Sequence, residues 1–216
     1  MPVLLSAPLF AQPVSSPYRF IETRISVGIF AGVIQTSAGK VDAGPQSAAI
    51  YGARVNRRLT GPLSLEVGLG FSSTDRNIYV PATAGSGDPP VAAGERPATL
   101  ILGDAGVRFH VTGPRSWRGL APYAALTGGF VESISDLTLA EAEVPLDQRF
   151  DFGPGFAAGI GFGSDFFLTE RLSVRGEVRD YLWRLTYPES FTGAEEEKEW
   201  RHNLAFTLGG TFHFWR

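Results

Sequence analysis

The sequence predicts an all-β protein, an eight-stranded antiparallel up-and-down transmembrane β-barrel. Eight stretches alternate with period two and place bulky apolar residues on one face only. No Lys, Arg, Asp or Glu interrupts that apolar face in the middle of any stretch. The connections between the stretches alternate between long and short. Together these features are typical of a sheet that closes on itself and turns its apolar face to lipid.

The composition excludes several other classes of protein. No run approaches the roughly eighteen consecutive apolar residues of a membrane-spanning helix. Cysteine is absent, which excludes a disulfide framework and a thiolate metal site and fits exposure to the periplasm. The formal net charge of −3 provides no basic footprint for nucleic acid. The length of 216 residues suits one barrel and not clearly two domains.

The first residues differ in character from the rest of the chain. Val3–Phe10 is apolar and is followed by Ala11, a pattern that resembles the end of a secretory signal with cleavage after Ala11. We therefore expect residues 1–17 to be a signal-peptide remnant or a disordered tail. The barrel domain is expected to span residues 18–216.

The strands can be placed in order from the alternation. The predicted strands are Ile21–Ile34, Ser47–Asn56, Leu63–Phe71, Thr99–Val111, Leu120–Val131, Arg149–Gly163, Leu172–Trp183 and His202–Arg216. Each reaches the length of about nine to eleven residues that a tilted membrane strand needs.

The first three strands share one pattern. Strand one places on its apolar face Ile25, Val27, Ile29, Ala31 and Val33. Strand two does so with Ala49, Tyr51, Ala53 and Val55. Strand three is the most regular, with Leu63, Leu65, Val67, Leu69 and Phe71 opposite Ser64, Glu66, Gly68 and Gly70.

The remaining strands show the same alternation of apolar residues on one face. Strand four presents Ile101, Ala105, Val107, Phe109 and Val111, and strand five contains the segment APYAALTGGF. Strand six presents Phe156, Ala158, Ile160 and Phe162, joined by Phe152 if the strand continues regularly through Pro154. Strand seven presents Leu172, Val174, Gly176 and Val178. Strand eight presents Leu204, Phe206, Leu208, Gly210, Phe212 and Phe214.

The connections predict the orientation of the barrel. The long ones cover residues 35–46, 72–98, 132–147 and 184–201, and the short ones cover residues 57–62, 112–119 and 164–171. Membrane barrels of this kind have long outer loops and short periplasmic turns. We therefore expect both termini in the periplasm, and a macromolecular partner would be bound through loops 72–98 and 184–201.

Three segments carry a family resemblance. GSDFFLTERLSVRGEVRDY, APYAALTGGF and the final strand resemble the small OmpA/OmpX-type outer membrane protein β-barrel domain. The resemblance covers Tyr18–Arg216 and implies residence in the bacterial outer membrane, in contact with lipid and lipopolysaccharide. It also implies insertion by the barrel-assembly machinery, which reads a terminal aromatic residue. Here Trp215 and Arg216 follow Phe214.

Seven charged residues lie on the faces opposite the apolar ones. They are Arg54, Glu66, Asp104, Arg108, Arg175, Glu177 and Arg179. Arg54, Glu66, Arg108 and Arg175 are equally far from their short turns and should share one level, with Glu66 between Arg54 and Arg108 and with Arg175 across the lumen. The other three suggest a second layer. Side chains fill the interior of an eight-stranded barrel, and buried charges must pair. We therefore expect a charged structural plug.

Other residues leave alternatives open. The barrel could be a narrow gated pore, a soluble lipocalin-like periplasmic barrel holding a small apolar ligand, or a lipid-modifying enzyme. For the enzyme, Ser173 and His110 are both inward-facing near a turn, but no motif supports them. No two histidines have metal-ligand spacing, and the glycine runs at 68–70 and 159–163 precede no helix, so neither a metal nor a cofactor is expected.

Aromatic and acidic residues complete the prediction. Tyr18, Tyr123, Tyr181, Trp183 and Phe214 lie near predicted strand ends and suit an interfacial girdle. The acidic run 195–199 suits a solvated loop. The expected function is that of a non-enzymatic outer-membrane protein with a structural or adhesive role exerted through its loops.

Overall fold

The computed structural model describes residues 16–80, 90–134, 136, 139–145, 149–150, 152–192 and 197–214. The proposed signal remnant therefore lies almost entirely outside the described residues. In order, the elements are β1 Tyr18–Phe20, β2 Ile25–Gln35, β3 Ala48–Thr60, β4 Leu63–Val80, β5 Val91–His110, β6 Arg115–Trp117, β7 Leu120–Ile134, α1 Leu139–Ala142, β8 Gly155–Phe167, β9 Leu172–Tyr187, α2 Glu189–Thr192 and β10 Glu197–Phe214.

Eight of these strands close into one antiparallel barrel. Each long strand pairs with the next along the chain, from β2 through β5, then β7 through β10. The ring closes where β10 pairs with β2, from Phe214 opposite Ile25 to Leu204 opposite Gln35. The predicted eight-stranded up-and-down barrel is therefore confirmed, because closure leaves every long strand with two neighbours.

The largest difference from the prediction concerns loop 72–98. Most of it is strand, because β4 continues to Val80 and β5 begins at Val91. The two strands stay paired beyond Thr99, where the pairing of β5 with β7 ends. Backbone hydrogen bonds hold this polar hairpin together without an apolar face, which is why the search for apolar alternation missed it. Pro97 is tolerated because β5 there has β4 as its neighbour on one side only.

Other element ends also shift. Loop 184–201 is shorter than predicted, because β9 continues to Tyr187 and β10 begins at Glu197. The predicted sixth strand starts at Gly155, immediately after Pro154, and Phe152 is buried inside the barrel, 7% exposed, and does not join the outer face. Proline has no amide hydrogen for a ladder, so the chain turns inward before it.

Two short strands at the short-turn end were not predicted. β1 pairs with β6, which lies within the turn between β5 and β7. The first barrel strand accordingly begins at Ile25 and not at Ile21. Residues 18–24 cross the end of the barrel, held by backbone bonds from the amide of Ile21 to Pro114 and from that of Arg58 to Arg24.

The outer surface of the barrel is apolar. Ile29 is 72% exposed, Leu208 64%, and Phe162 61%, and they belong to a belt formed by outward-facing residues of all eight long strands. A soluble protein rarely leaves so large a continuous apolar surface in water, whereas a membrane barrel requires one. No helix among the described residues is long and apolar enough to cross a membrane.

The interior is filled in two zones. Charged and polar side chains occupy the zone towards the short turns. An apolar cap fills the zone towards the long loops, and its residues are Ile34, Ala43, Ile50, Leu100, Leu102, Val131, Phe150, Phe152, Ala157, Tyr181, Trp183, Leu185, Tyr187, Phe191 and Ala205. Phe150, Phe152 and Phe191 come from the connecting loops, so the loops themselves close the lumen.

Candidate functional site

All seven charged residues singled out in the sequence point into the barrel. None is more than 9% exposed. They come from β3, β4, β5 and β9, where alternation with the outward apolar residues directs them inward. With Asp165 from β8, they form what we call the lumen charge network, whose eight members are Arg54, Glu66, Asp104, Arg108, Asp165, Arg175, Glu177 and Arg179.

Glu66 is the centre of the network. Its Oε2 lies 3.2 Å from Nη1 of Arg175 and 3.6 Å from Nε of Arg108. Its Oε1 accepts a hydrogen bond from Arg179. A single carboxylate on β4 is thus shared by three guanidinium groups, two of which cross the lumen from β9.

The expectation that Arg54 lies level with Glu66 and flanks it is wrong. Arg54 Nη1 instead lies 2.7 Å from Oε1 of Glu177. The register places Arg54 opposite Gly68 and puts Asn56 opposite Glu66. The prediction ended this strand at Asn56, whereas β3 continues to Thr60, so counting residues from the predicted turn misplaced Arg54.

Arg179 links the network to a higher level. Its Nη1 lies 2.8 Å from Oδ2 of Asp104, and its Nε lies 2.8 Å from Oε1 of Glu177. The hydroxyl of Tyr181 donates to Asp104 Oδ2 at 3.0 Å. The expected second layer thus joins the first through Arg179.

Asp165 also faces the lumen, although it was not predicted to do so. This carboxylate, 3% exposed, lies 3.0 Å from Nη2 of Arg108 and 2.7 Å from Nε of Arg175. It was placed in the short turn 164–171, whereas β8 continues to Phe167. Asp165 keeps the inward phase of Ala157 and the glycines after it, and that phase could have identified it. With Asp165, four arginines face four carboxylates, and the formal charge of the network is zero.

Three residues assigned to the interfacial girdle lie inside the barrel. Tyr123, Tyr181 and Trp183 are at most 4% exposed, so the girdle assignment is wrong for them. Tyr123 donates to Glu177 at 2.6 Å and carries the guanidinium of Arg108 over its ring at 3.5 Å. Tyr181 and Trp183 share the odd-numbered inward phase of Arg175, a signal that position near a strand end obscured. Tyr18 and Phe214 do lie on the outside.

A serine and a histidine meet near the short-turn end. Ser173 lies with its Oγ 2.8 Å from Nε2 of His213, whose Nδ1 is 3.4 Å from Oγ1 of Thr23. The expected partner, His110, packs against the ring of Tyr123 instead. Ser173 is 2% exposed. Thr23, and not a carboxylate, occupies the third position, which leaves the histidine without the charged partner of a catalytic triad.

The interior has little free volume. Cavities of about 30 and about 10 Å³ border the network, enough for about one or two water molecules. Among the described residues, no cluster of three or more His, Cys, Asp or Glu side chains could hold a metal ion. The arrangement therefore neutralises charge inside the wall and fills the lumen.

Comparisons with known proteins bear on the fold. No protein-family model matches the chain, and no curated protein sequence matches it. The outer membrane protein OprG from Pseudomonas aeruginosa superposes with a TM-score of 0.57 at 14% identity, covering 93% of this chain and 100% of OprG. Neisserial surface protein A superposes with a TM-score of 0.52 at 13% identity, covering 92% of this chain and 98% of its own.

At these identities the likeness concerns the fold alone. It agrees with the sheet topology and with the apolar outer belt, which are independent of any comparison. The chain thus has the fold of the small eight-stranded OmpA/OmpX-type outer membrane β-barrels.

Proposed function

We propose that this protein is a non-enzymatic integral barrel of the bacterial outer membrane, with both termini in the periplasm. Its lumen is a structural plug, and its long-loop end is the surface that contacts partners in a structural or adhesive role. The observation that carries this proposal is the filled interior: a balanced charge network towards the short turns and an apolar cap towards the long loops.

The charge network supports a plug over a pore. Each of its arginines is shared with at least one carboxylate of the network within 4 Å, and Glu66, at 1% exposed, is out of reach of solvent. A conducting path would need water beside these charges, and it would need a gap in the cap. Trp183, Leu185 and Tyr187, all 0% exposed, fill that position.

The long-loop end supports a role in binding. The β4–β5 hairpin extends beyond the end of the β5–β7 pairing, and residues 36–47 brace it. Asn77 donates to Asp42 at 2.9 Å, and Gln46 donates to Glu95 at 2.9 Å. A braced hairpin is a preorganised surface, which lowers the entropic cost of binding a partner.

The free edge of this hairpin is unsuited to strand addition. Residues 91–97 of β5 have one neighbouring strand among the described residues, but Pro97 lacks an amide donor and Gly94 has a φ of 128°. Glu95 and Arg96 add charge to the same edge. A partner would therefore be recognised by side chains of the hairpin.

An ion pair links residues 36–47 to the start of β10. Lys40 pairs with Glu197 at the start of β10, and this carboxylate raises the pKa of the Lys40 ammonium. Arg201 lies 2.5 Å from Glu199 on the same strand. The surface that we assign to partners is thus built from residues 36–47, the β4–β5 hairpin and the top of β10.

Contacts with outer-membrane lipid and lipopolysaccharide, and insertion by the barrel-assembly machinery, belong to the same proposal. The belt supports the first, and the position of Phe214 supports the second, since this ring ends β10 on the outer face and is 46% exposed.

A hairpin deletion tests the binding role. Ser73 pairs with Thr99, so residues 74–98 can be replaced by Asn-Gly, which suits a two-residue turn between paired strands. Cells displaying the intact barrel should be retained on surfaces coated with host or bacterial macromolecules more than cells displaying the shortened one. Equal retention, at equal amounts of folded barrel, would contradict a binding role for the hairpin.

Planar bilayer recordings test the plug. We expect no conductance from the intact protein and none from Glu66→Gln, because the apolar cap remains in place above Glu66. A conductance that rises in Glu66→Gln would contradict the plug and favour the gated pore.

A further inference from the structure

The short-turn end of the barrel carries an excess of positive charge. Six exposed arginines occupy residues 18–24, 57–62, 111–119 and 168–171, against two exposed glutamates, Glu22 and Glu170. We call them the basic rim, and they are Arg19, Arg24, Arg57, Arg115, Arg118 and Arg171. Since the lumen charge network is neutral and the whole chain has a formal charge of −3, the opposite end carries the negative excess.

The ion pairs of the described residues do not include the arginines of the rim. Within the described part of the chain, none of the six lies within ion-pair distance of an acidic side chain. Two of them lie over aromatic rings, Arg115 at 4.5 Å from the Phe20 centroid and Arg118 at 5.3 Å from that of Trp117. With respect to the described carboxylates, their guanidinium groups are therefore available to an anionic ligand.

The rim lies at the border of the apolar belt. Arg57 is on the outward face of β3, with Ile25 opposite it on β2 and Leu65 opposite it on β4. The stem of an arginine in this place packs on apolar neighbours while its guanidinium extends to the lipid headgroups. Exposed Phe20 and Trp117 lie at the same end, where interfacial aromatic rings are found.

We infer that the basic rim binds the phosphate groups of anionic phospholipids in the leaflet at this end of the barrel. Guanidinium groups bind phosphate oxygens through paired hydrogen bonds, and their charge complements a lipid with a net negative headgroup. Arg57 borders the apolar belt directly, and exposed Phe20 and Trp117 lie at the same end of the barrel. A headgroup there can meet a guanidinium while its acyl chains lie against the belt, which favours phospholipid as the source of the phosphate. Only the identity of the leaflet depends on the proposed orientation.

The test measures binding of a fluorescent phosphatidylglycerol to the barrel in zwitterionic detergent micelles, by fluorescence anisotropy. Phosphatidylcholine with the same label is the neutral comparison. The key variant is Arg24→Gln with Arg57→Gln. Arg57 pairs with Ile25, the residue after Arg24, and the amide of Arg58 donates to the carbonyl of Arg24. Arg184→Gln is the matched control, because Arg184 is also exposed and beside an aromatic ring, Trp200, but lies at the other end.

We expect tighter binding of phosphatidylglycerol than of phosphatidylcholine, by about fivefold for each arginine engaged. The double Gln variant should lose about 25-fold in affinity. The double Lys variant should lose less affinity than the double Gln variant, because it keeps the charge without the paired hydrogen bonds. Arg184→Gln should not change the affinity. Equal binding of the two lipids, or full affinity in the double Gln variant, would overturn the inference.

A competition experiment distinguishes binding of the phospholipid from binding of free phosphate. If inorganic phosphate displaces phosphatidylglycerol at comparable concentration, the rim recognises a free anion and the lipid assignment fails. Binding in micelles depends neither on the orientation in the membrane nor on the hairpin, so its outcome is independent of the proposed role of the loops. Circular dichroism confirms that each variant keeps its strands.

Discussion

Replacing Glu66 by Gln removes one negative charge from the lumen and preserves the shape of the side chain. It leaves four arginines with three carboxylates in an interior where Arg108 and Arg179 are each 1% exposed. Breaking a buried ion pair by removing one partner costs about 3–5 kcal/mol. The structure favours the lower end of this energy range, because each arginine keeps another carboxylate. Arg108 and Arg175 keep Asp165, and Arg179 keeps Asp104 and Glu177. We expect a loss of about 3 kcal/mol in the free energy of unfolding.

A second substitution distinguishes the effect of unbalanced charge from a general loss of packing. In Glu66→Gln with Arg108→Met the charges of the network balance again, and an apolar side chain replaces the removed guanidinium. The double variant should be less destabilised than the sum of the two single variants, by about 1–2 kcal/mol.

The assay is urea unfolding of the barrel in lipid vesicles, followed by tryptophan fluorescence. Glu170→Gln, an exposed carboxylate in the last short turn, is the control and should change the unfolding free energy by less than about 0.5 kcal/mol. Two results would refute the reasoning: a Glu66→Gln variant as stable as the wild type, or single and double variants that add without coupling.

Three further predictions follow from the fold. Expressed with a working signal, the protein should fractionate with the membranes, and recovery in the soluble periplasm would revive the lipocalin-like alternative. Since the chain has no cysteine, Asp136→Cys should react with an impermeant maleimide on intact cells and Glu170→Cys should not; the reverse pattern would invert the proposed orientation. Phe152→Ala should destabilise the barrel by about 3–4 kcal/mol, because Phe152 packs against Trp183 with ring centroids 6.0 Å apart. Leu139→Ala is the control in urea unfolding, because the Leu139 side chain is 88% exposed. An equal loss of unfolding free energy in both variants would show that Phe152 does not stabilise the apolar cap.

The sequence was sufficient for the number of strands and for their inward and outward faces. Alternation has a strict period of two, so a residue such as Glu66 can be assigned to the lumen without knowing where its strand ends. That is why the seven charged residues could all be directed inward from the sequence.

Pairing and strand ends could not be obtained in the same way. Strand β3 continues to Thr60, past its predicted end at Asn56, and this changes which residue faces Glu66. The polar β4–β5 hairpin is held by backbone bonds, which leave no apolar pattern. The contact of Ser173 with His213 could have been predicted from strand pairing. Ser173 pairs with Thr211, and His213 lies two residues further on the same face. Asp165, Tyr123 and Trp183 were misassigned because position near a predicted strand end was given more weight than phase.

The charge network links strands that are far apart in the chain. Arg175 and Arg179 on β9 reach Glu66 on β4 across separations of 109 and 113 residues. Contacts of such long range form late in folding. A partly assembled sheet would therefore hold several guanidinium groups at membrane depth without counter-charge, which is strongly unfavourable. Pairing these groups and joining β10 to β2 favour each other, so the network makes assembly of the barrel cooperative and disfavours the persistence of open intermediates.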